Sequence, residues 1–342
     1  MFMSWNRRGL LLDFSVFRRL GVRFGSFDTK RGKTMSYADW MSQLPAELHT
    51  IPLFKLAIPG SHDSMSYDLD VDSRIIEPER LRRFSRIYFL RKIIHTWAAT
   101  QEVCITEQLN AGARYFDLRI ARKPTDTNPT RLFFHHGLYT RTDVETVLRE
   151  INTWAESHPK EIVILSLSHF EGFDKNISKQ LHDHLITFMK NLFGNKLLPK
   201  TNSPTLKSCW NQGKNIIVSY DNTQFQQPVL WRKITYYYGN SMDRAVITAK
   251  LCQALEKEKS FEYFFVCGLN PTLPHDTGIL RYILRICDNF TNVVRRGLPK
   301  LLRWVNQQYD KTPMNIVASD VVTRDDFVAT IVKLNLKRAK GR

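Results

Sequence analysis

The sequence contains little of what marks secreted, membrane-spanning or zinc-ribbon proteins. It has five cysteines, an odd number, and no C-x-x-C pair, so neither a disulfide framework nor a cysteine-ligated zinc site is predicted. No apolar run reaches the roughly 18 uncharged residues that a membrane-spanning helix needs. The apolar stretch of residues 10–17 is interrupted by Asp13 and followed by arginines, which does not fit a signal peptide. We therefore expect a cytoplasmic protein whose thiols stay reduced.

Acidic residues are scarce relative to basic ones. The 342 residues hold 50 Lys and Arg against 33 Asp and Glu, a formal charge of +17, while a hydrophobic share of 43% is enough for a packed core. A surface of this sign attracts nucleic acid, an anionic membrane or an anionic substrate. Nucleic acid is not predicted, because the sequence has no zinc-finger spacing, RNP-like aromatic motif or GXXG loop. We expect an anionic membrane surface, bound peripherally, as the partner.

The basic residues concentrate at the two ends of the chain. Residues 1–34 hold eight Lys or Arg and two Asp, and residues 337–342 are again basic. The N-terminal segment suits a membrane-surface helix, an organelle presequence or an unstructured extension, and these three interpretations stay open. We predict one catalytic domain over residues 35–336, between a flexible basic extension (residues 1–34) and a basic tail (residues 337–342).

The central part reads as buried strands that alternate with amphipathic helices. Apolar runs without period-2 alternation indicate strands buried on both faces, as in a parallel sheet covered by helices. Seven such units in about 300 residues favour an α/β fold of the TIM barrel type, irregular or incompletely closed. A doubly wound open sheet is the competing fold, but no G-x-G-x-x-G, Walker A or G-x-S-x-G motif supports it. The predicted strands are residues 56–58, 115–120, 132–135, 162–168, 215–220, 264–269 and 315–319, and the predicted helices are residues 142–157, 178–193 and 325–336.

Reactive side chains stand at the ends of five predicted strands. Because the carboxyl ends of parallel strands open onto one face of a barrel, these side chains should converge there. Two histidines can act as general base and general acid, an arginine offers a forked cation for a phosphate, and an aspartate can fix one imidazole tautomer. No elbow motif presents a seryl nucleophile, so the pattern indicates acid–base cleavage of a phosphodiester. The converging residues are His62, Asp63, Asp117, Arg119, His136, His169 and Asp320.

Three segments, in this order, resemble the X region of phosphatidylinositol-specific phospholipase C. They are LAIPGSHDS (residues 56–64), GARYFDLR (residues 112–119) and HHG (residues 135–137). The resemblance is to the small PI-PLC X-domain-containing proteins, which lack the extra domains of the signalling phospholipases, and it covers residues 37–335. It implies a phosphoric diester hydrolase in a TIM-type barrel, with a phosphoinositide-type phospholipid as substrate.

The resemblance also implies roles for individual residues. His62 matches the general base that deprotonates the inositol 2-hydroxyl, which attacks phosphorus and leaves an inositol 1,2-cyclic phosphate. His136 matches the general acid for the diacylglycerol oxygen. Asp320 matches the carboxylate that orients the base, and Asp63 matches the acid that couples the arginine to the leaving-group proton.

Arg119 distinguishes the two cofactor patterns of the family. Calcium-dependent members carry a carboxylate at this position and an Asn after the first histidine, whereas bacterial members carry Arg and Asp. This chain has Arg119 and Asp63, so the resemblance implies a reaction without metal or other cofactor, with Arg119 on the phosphate. The plainer interpretation, an ion pair of Arg119 with Asp117 or Asp63, is compatible with this role.

The ring-binding half of the pocket departs from the bacterial pattern. Bacterial enzymes have Lys on the fourth strand, where this chain has Ser168 and His169, and Arg near the fifth, where it has Tyr220. We predict Asp117, Ser168, His169 and Tyr220 as substrate-binding residues, although a bond to backbone is an equal interpretation for His169. A weak or inactive lipid-binding scaffold therefore stays as the alternative function. A glycerophosphodiester-type barrel is disfavoured, since its His-Arg motif is absent.

Two further segments are less specific. Residues 81–97 are basic and amphipathic, which suits either a membrane-surface helix or a helix packed on the barrel, and we favour packing. His182 and His184 lie two positions apart in a predicted helix, hence on opposite faces. We therefore expect surface residues there rather than a metal-binding pair.

Overall fold

The computed structural model describes residues 37–257, 262–273 and 289–340. The predicted extension, residues 1–34, lies outside the described residues, as do residues 341–342 of the predicted tail. The described residues form nine β-strands. They are β1 (Ile58–Ser61), β2 (Tyr115–Arg122), β3 (Leu132–His136), β4 (Leu138–Asp143), β5 (Val163–Glu171), β6 (Ile216–Tyr220), β7 (Thr235–Tyr238), β8 (Phe265–Gly268) and β9 (Ile316–Ser319).

Eight α-helices and six short 3-10 helices occur in the same described ranges. The α-helices are α1 (Tyr88–Ala98), α2 (Ile105–Ala111), α3 (Val144–Ser157), α4 (Ser178–Phe193), α5 (Leu206–Asn211), α6 (Arg244–Lys257), α7 (Phe290–Tyr309) and α8 (Phe327–Lys340). The 3-10 helices are Ala46–Leu48, Leu53–Lys55, Ser66–Asp68, Glu79–Phe84, Gly194–Lys196 and Thr223–Phe225. In the described part of the chain, no helix combines the length and the hydropathy required to cross a bilayer.

Seven parallel strands form the wall of a barrel that does not close. β1 pairs with β2 on one side and with β9 on the other. The wall continues from β2 through β5 to β6, and from β9 through β8 to β7. β6 and β7 do not pair with each other in the described sheet, so the ring is open between them. The prediction of an irregular, incompletely closed TIM-type barrel is confirmed.

β2 contributes side chains to both the outer and the inner face of the barrel wall. Phe116 and Leu118 belong to the apolar cluster beneath α3 and α4, whereas Tyr115 belongs to a different cluster with residues of the neighbouring strands. Because successive residues of a strand point to opposite faces, Asp117 and Arg119 lie on the same inner face as Tyr115. The outward-facing residues of β2 anchor the strand, and the inward-facing ones are available to a site.

The strand that carries His136 is not one of the parallel strands, contrary to the sequence prediction. β3 runs antiparallel to β2 and forms a hairpin with β4. The two strands meet at Gly137, which has φ +73°, and a Cβ at this position would lie 2.9 Å from Cγ2 of Ile94. Only glycine fits so tight a turn. The hairpin leaves from the carboxyl end of β2, where Ile120 pairs with Phe134, and so returns His136 to the barrel mouth.

Several finer predictions can be compared with the described residues. α4 has the predicted bounds, but α8 extends to Lys340, so residues 337–340 of the predicted tail are helical. Residues 81–97 form two elements, the 3-10 helix Glu79–Phe84 and α1, rather than one helix. β4 and β7 were not predicted. The four described cysteines are free thiols, in agreement with the absence of a disulfide framework.

A fully buried ion pair lies at the other end of the barrel, where β2 and β5 begin. The Arg114 guanidinium donates to Glu161 Oε2 from Nε at 3.1 Å and from Nη2 at 2.7 Å, and neither side chain is exposed. Glu161 also accepts from the backbone N–H groups of Met41 and Ser42, and Arg114 donates to the carbonyl of Ala38. The pair therefore fixes residues 38–42 to the base of the barrel.

We predict that Arg114→Met lowers the free energy of unfolding by about 3–5 kcal/mol, because it leaves the Glu161 carboxylate buried without a counter-charge. Urea unfolding followed by circular dichroism measures the change. The double variant Arg114→Met/Glu161→Met should recover part of the loss, since it removes both charges. An unfolding midpoint of Arg114→Met equal to that of the wild type would contradict this account of the pair.

Candidate active site

Side chains from four strands meet at the carboxyl end of the barrel. Two directly follow β1, two lie in β2, one ends β3 and one follows β9. They are, in that order, His62 and Asp63, Asp117 and Arg119, His136, and Asp320. β1 lies between β2 and β9 in the sheet, so the ends of these three strands are side by side. The structure thus brings six of the seven predicted converging residues into direct contact with one another.

His62 is held between two carboxylates. Its Nδ1 lies 2.8 Å from Asp320 Oδ1, and its Nε2 lies 3.2 Å from Asp63 Oδ2 and 3.1 Å from Arg119 Nη2. Asp320 can only accept, so it fixes the proton on Nδ1 and leaves Nε2 as the nitrogen that exchanges a proton. Burial lowers the pKa of His62, but Asp63 and Asp320 more than offset this effect and hold that pKa above its ordinary value of 6.5.

The Asp63 carboxylate lies at the centre of the cluster. Its Oδ1 is 2.6 Å from Arg119 Nε, and its Oδ2 is 3.2 Å from Nε2 of both His62 and His136. The Asp63 backbone is left-handed, with φ +43°, and its N–H donates to Asp117 Oδ2 at 3.2 Å. Burial by itself would raise the pKa of Asp63, but Arg119, His136 and His62 hold that pKa well below its usual range. The carboxylate is therefore charged.

His136 is oriented by the backbone of α1. Its Nδ1 lies 2.7 Å from the carbonyl oxygen of Ala98, so Nδ1 carries a proton and donates it. Its Nε2 lies 3.2 Å from Asp63 Oδ2. The ring is therefore held between the Ala98 carbonyl and the Asp63 carboxylate, with Nε2 turned toward the centre of the cluster.

Arg119 occupies the place where a cation would neutralise the carboxylates. Its side chain contacts Asp63 at 2.6 Å and Asp117 at 3.4 Å. Among the described residues, one group, His62 with these two aspartates, brings enough ligand atoms together for a metal ion. The guanidinium pairs with both carboxylates of that group and repels a divalent cation. These carboxylates are therefore better matched to the Arg119 guanidinium, with a phosphate beside it, than to a metal ion.

The predicted substrate-binding residues do not all face the mouth of the barrel. Asp117 contacts Arg119, Ser168 lies opposite Arg119 in the β2–β5 register, and His169 is exposed just beyond Ser168. Tyr220 is fully buried, and its hydroxyl lies 2.6 Å from Nδ1 of His182. The prediction for Tyr220 is wrong, because this last residue of β6 points outward against α4.

The histidine pair of α4 also differs from expectation in one respect. His182 is buried, with its Nδ1 on Tyr220 and its Nε2 3.1 Å from the Asn222 amide nitrogen, so it is not a surface residue. His184 is partly exposed and lies 2.9 Å from Glu145. The two rings occupy different faces of the helix, as predicted.

Sequence analysis missed two residues that brace the site. Gln101 donates from Nε2 to the carbonyls of His62 and Ser319 and thereby joins the ends of β1 and β9. Tyr236 places its ring 5.8 Å from the His62 ring and donates its hydroxyl to Asn270. The aromatic run of β7 was a usable strand signal for Tyr236. Nothing in the sequence marks Gln101.

Comparison with known sequences identifies the family. The family model "Phosphatidylinositol-specific phospholipase C, X domain" matches residues 88–221. PI-PLC X domain-containing protein 1 of Mus musculus is 37% identical over 309 residues, which cover 88% of this chain and 87% of that protein. PI-PLC X domain-containing protein 3 of Mus musculus is 33% identical over 318 residues, which cover 90% of this chain and 96% of that protein.

Solved structures agree on the fold. A variant of the phosphatidylinositol-specific phospholipase C from Staphylococcus aureus superposes with a TM-score of 0.61 at 17% identity, over 88% of this chain and 98% of that chain. The phosphatidylinositol-specific phospholipase C from Listeria monocytogenes gives 0.57 at 20% identity, over 88% and 99%. Together with the identity to the mouse proteins over almost the whole chain, these matches lead to one conclusion: the chain belongs to the family of PI-PLC X domain-containing proteins.

Proposed function

We propose that this protein is a metal-independent phosphoric diester hydrolase that cleaves phosphatidylinositol-type lipids. The observation that carries the proposal is the position of Asp63, whose Oδ2 lies 3.2 Å from the outer nitrogens of two histidines. One ring is fixed through Nδ1 by Asp320 and the other by the Ala98 carbonyl. Two imidazoles held in this way can exchange protons on opposite sides of a phosphodiester.

In the proposed reaction, the two histidines divide the proton transfers. His62 Nε2 takes the proton from the inositol 2-hydroxyl, whose oxygen then attacks phosphorus. The bond from phosphorus to the diacylglycerol oxygen breaks, and His136 Nε2 delivers its proton to that oxygen. The products are diacylglycerol and an inositol 1,2-cyclic phosphate. Arg119 stabilises the negative charge that develops on the phosphate, since its guanidinium is already fixed by Asp63 and Asp117.

A weak or inactive lipid-binding scaffold remains the second candidate. The observation that favours it is the changed ring-binding side of the pocket, where Tyr220 is buried and out of reach. The intact arrangement of His62, Asp63, His136 and Asp320 favours the enzyme, because a scaffold has no need of two imidazoles with fixed tautomers.

Turnover by the purified full-length protein tests the proposal. On soluble short-chain phosphatidylinositol, in the presence of a calcium chelator, we expect a cyclic phosphate product detectable by 31P NMR. His62→Ala and His136→Ala should each reduce kcat about 100- to 10,000-fold, and the double variant should fall little further because the two act as a unit. His184→Ala, a partly exposed histidine on α4, is the matched control. Full activity of either single variant, or activity that depends on added calcium, would contradict the mechanism.

The pH dependence follows from the environment of His62. Asp63 and Asp320 raise the pKa of His62 against its burial, so its base form becomes populated only above the ordinary value of 6.5. The profile of kcat/KM should be bell-shaped, and its ascending limb should have a midpoint above 6.5. Asp320→Asn removes one stabilising charge and should move that midpoint to lower pH. An ascending limb unaffected by this substitution would show that His62 is not the base.

A basic and apolar surface beside the site supports membrane binding. In residues 79–98, Phe84, Ile87 and Tyr88 are 38%, 43% and 52% exposed. Six Lys and Arg belong to the same stretch, which suits the interface of an anionic bilayer. The stretch also packs inward through Ile94 and Trp97, so the membrane and packing interpretations apply to different faces of it. We therefore propose a cytoplasmic protein that binds anionic membranes peripherally.

We predict that the triple variant Phe84→Ser/Ile87→Ser/Tyr88→Ser binds anionic vesicles at least about tenfold more weakly, because it removes the apolar insertion. Vesicle co-sedimentation measures the affinity, which should also fall with added salt. Val246→Ser, an exposed apolar residue of α6, is the control, and turnover of soluble substrate should not change in either variant. Unchanged vesicle binding in the triple variant would assign the membrane contact to another part of the chain.

A further inference from the structure

The side chain of Gln101 joins the two strand ends that carry His62 and Asp320. Its Nε2 donates to the carbonyl of His62 at 2.8 Å and to the carbonyl of Ser319 at 3.1 Å, and its Oε1 accepts from the backbone N–H of Val322 at 3.2 Å. Two acceptors on one side and a donor on the other fix the orientation of the amide. Only 2% of Gln101 is exposed, so the three bonds are shielded from bulk water.

The residues before and after this glutamine bind the same loop, which connects β9 to α8. The carbonyl of Thr100 accepts from the backbone N–H of Val321 at 2.9 Å. The Glu102 carboxylate accepts from Arg324 Nε at 3.2 Å. Three consecutive residues therefore hold one loop, and it is the loop that carries Asp320.

Asp320 is followed by a residue in a strained conformation. Val321 has φ +51°, in the left-handed region that β-branched side chains rarely adopt. Such a conformation persists only where the surrounding structure fixes it. Here the fixing contacts include those of Thr100 and Gln101, which bind the N–H groups of Val321 and Val322. The segment that carries Gln101 therefore maintains the strained backbone next to Asp320.

We infer that Gln101 is a positioning residue that holds the Asp320 carboxylate against Nδ1 of His62. This inference rests on the proposed function for the role of His62 as the general base. The Gln101 side chain bonds backbone groups, so it acts through Asp320 and His62 rather than on the substrate. Asp320 Oδ1 lies 2.8 Å from Nδ1, and a displacement of about 1 Å breaks a hydrogen bond of that length. Loss of the amide contacts would allow Val321 to relax and the adjacent Asp320 to move.

A substitution of Gln101 can change the geometry around His62 without changing the charges there. The titratable and charged groups that face the His62 ring are Asp63, Arg119, His136, Tyr236 and Asp320. All of them remain when the neutral amide is replaced by the neutral side chain of methionine. Burial lowers the pKa of His62 whereas Asp320 raises it, so a larger separation of His62 from Asp320 should lower that pKa. A changed titration of His62 therefore reports a changed position of the carboxylate.

The matched control is a buried amide at the opposite end of β1. Asn335 is fully buried, its Nδ2 donates to the carbonyl of Ala57 at 2.9 Å, and its Oδ1 accepts from the N–H of Ala57 at 2.8 Å. Gln101→Met and Asn335→Leu should both lower the urea midpoint, since each leaves buried backbone groups without partners. Only Gln101→Met should lower the pKa of His62, measured by NMR in full-length protein with 15N-labelled histidine. An unchanged or higher pKa of His62 in Gln101→Met, or an equal shift in Asn335→Leu, would overturn the inference.

A milder variant serves if Gln101→Met does not fold. Ser66 Oγ accepts from the backbone N–H groups of Thr100 and Gln101 at 3.1 Å and 3.0 Å. Ser66→Ala therefore loosens the segment and leaves the amide in place. It should lower the pKa of His62 by a smaller amount, and an unchanged pKa in Ser66→Ala would then overturn the inference.

Turnover gives a second readout and separates this inference from the proposed function. On soluble short-chain phosphatidylinositol, Gln101→Met should reduce kcat about 10- to 100-fold with KM nearly unchanged, because the general base is misplaced while the binding groups remain. A raised KM with an unchanged kcat would contradict the positioning role. The titration of His62 does not need turnover, so an inactive wild type would overturn the proposed function, whereas the NMR result would still decide whether Gln101 positions Asp320.

Discussion

The Asp63 carboxylate is the group on which the rest of the site depends. It is a buried charge, and such a charge is tolerated only where opposite charges and hydrogen bonds compensate its desolvation. Arg119 supplies the counter-charge at 2.6 Å, and the two histidines lie at 3.2 Å. The same compensation raises the pKa of His62 and fixes the Arg119 guanidinium in the place where the proposed function needs a cation for a phosphate. The groups that balance the buried charge of Asp63 are therefore the same groups to which the proposed chemistry is assigned.

Three structural features of the barrel position these side chains. Neighbouring parallel strands bring the ends of β1, β2 and β9 together, and Gln101 joins two of those ends. The β3–β4 hairpin returns His136 over the mouth, and Gly137 makes that return sharp enough. The carbonyl of Ala98, at the end of α1, then fixes the His136 tautomer. Since α1 also continues the exposed basic surface, the proposed membrane contact and the proposed general acid depend on one structural element.

Much of the site was readable from the sequence, because reactive side chains directly follow buried strands. The carboxyl ends of neighbouring parallel strands lie side by side, and this brings together His62, Asp63, Arg119 and Asp320. His136 reaches the site from an antiparallel strand. The sequence did not predict this, because antiparallel and parallel strands have similar apolar patterns. Tyr220 was wrongly assigned to the site, because the sequence does not reveal which face of the sheet the last residue of a strand occupies. The bracing by Gln101 depends on three-dimensional register, which a single sequence does not encode visibly.

The most direct test of the central claim is the titration of His62 by NMR in protein with 15N-labelled histidine, compared between wild type and Asp63→Asn. Asp63 and Asp320 both raise the pKa of His62, and Arg119 opposes them. Removing the Asp63 charge takes away one charge that raises the pKa of His62 and leaves the Arg119 guanidinium with Asp117 as its remaining partner in the cluster, so the account predicts a clearly lower pKa of His62 in the variant. A pKa of His62 that is the same in both proteins would contradict the claim that Asp63 organises the site.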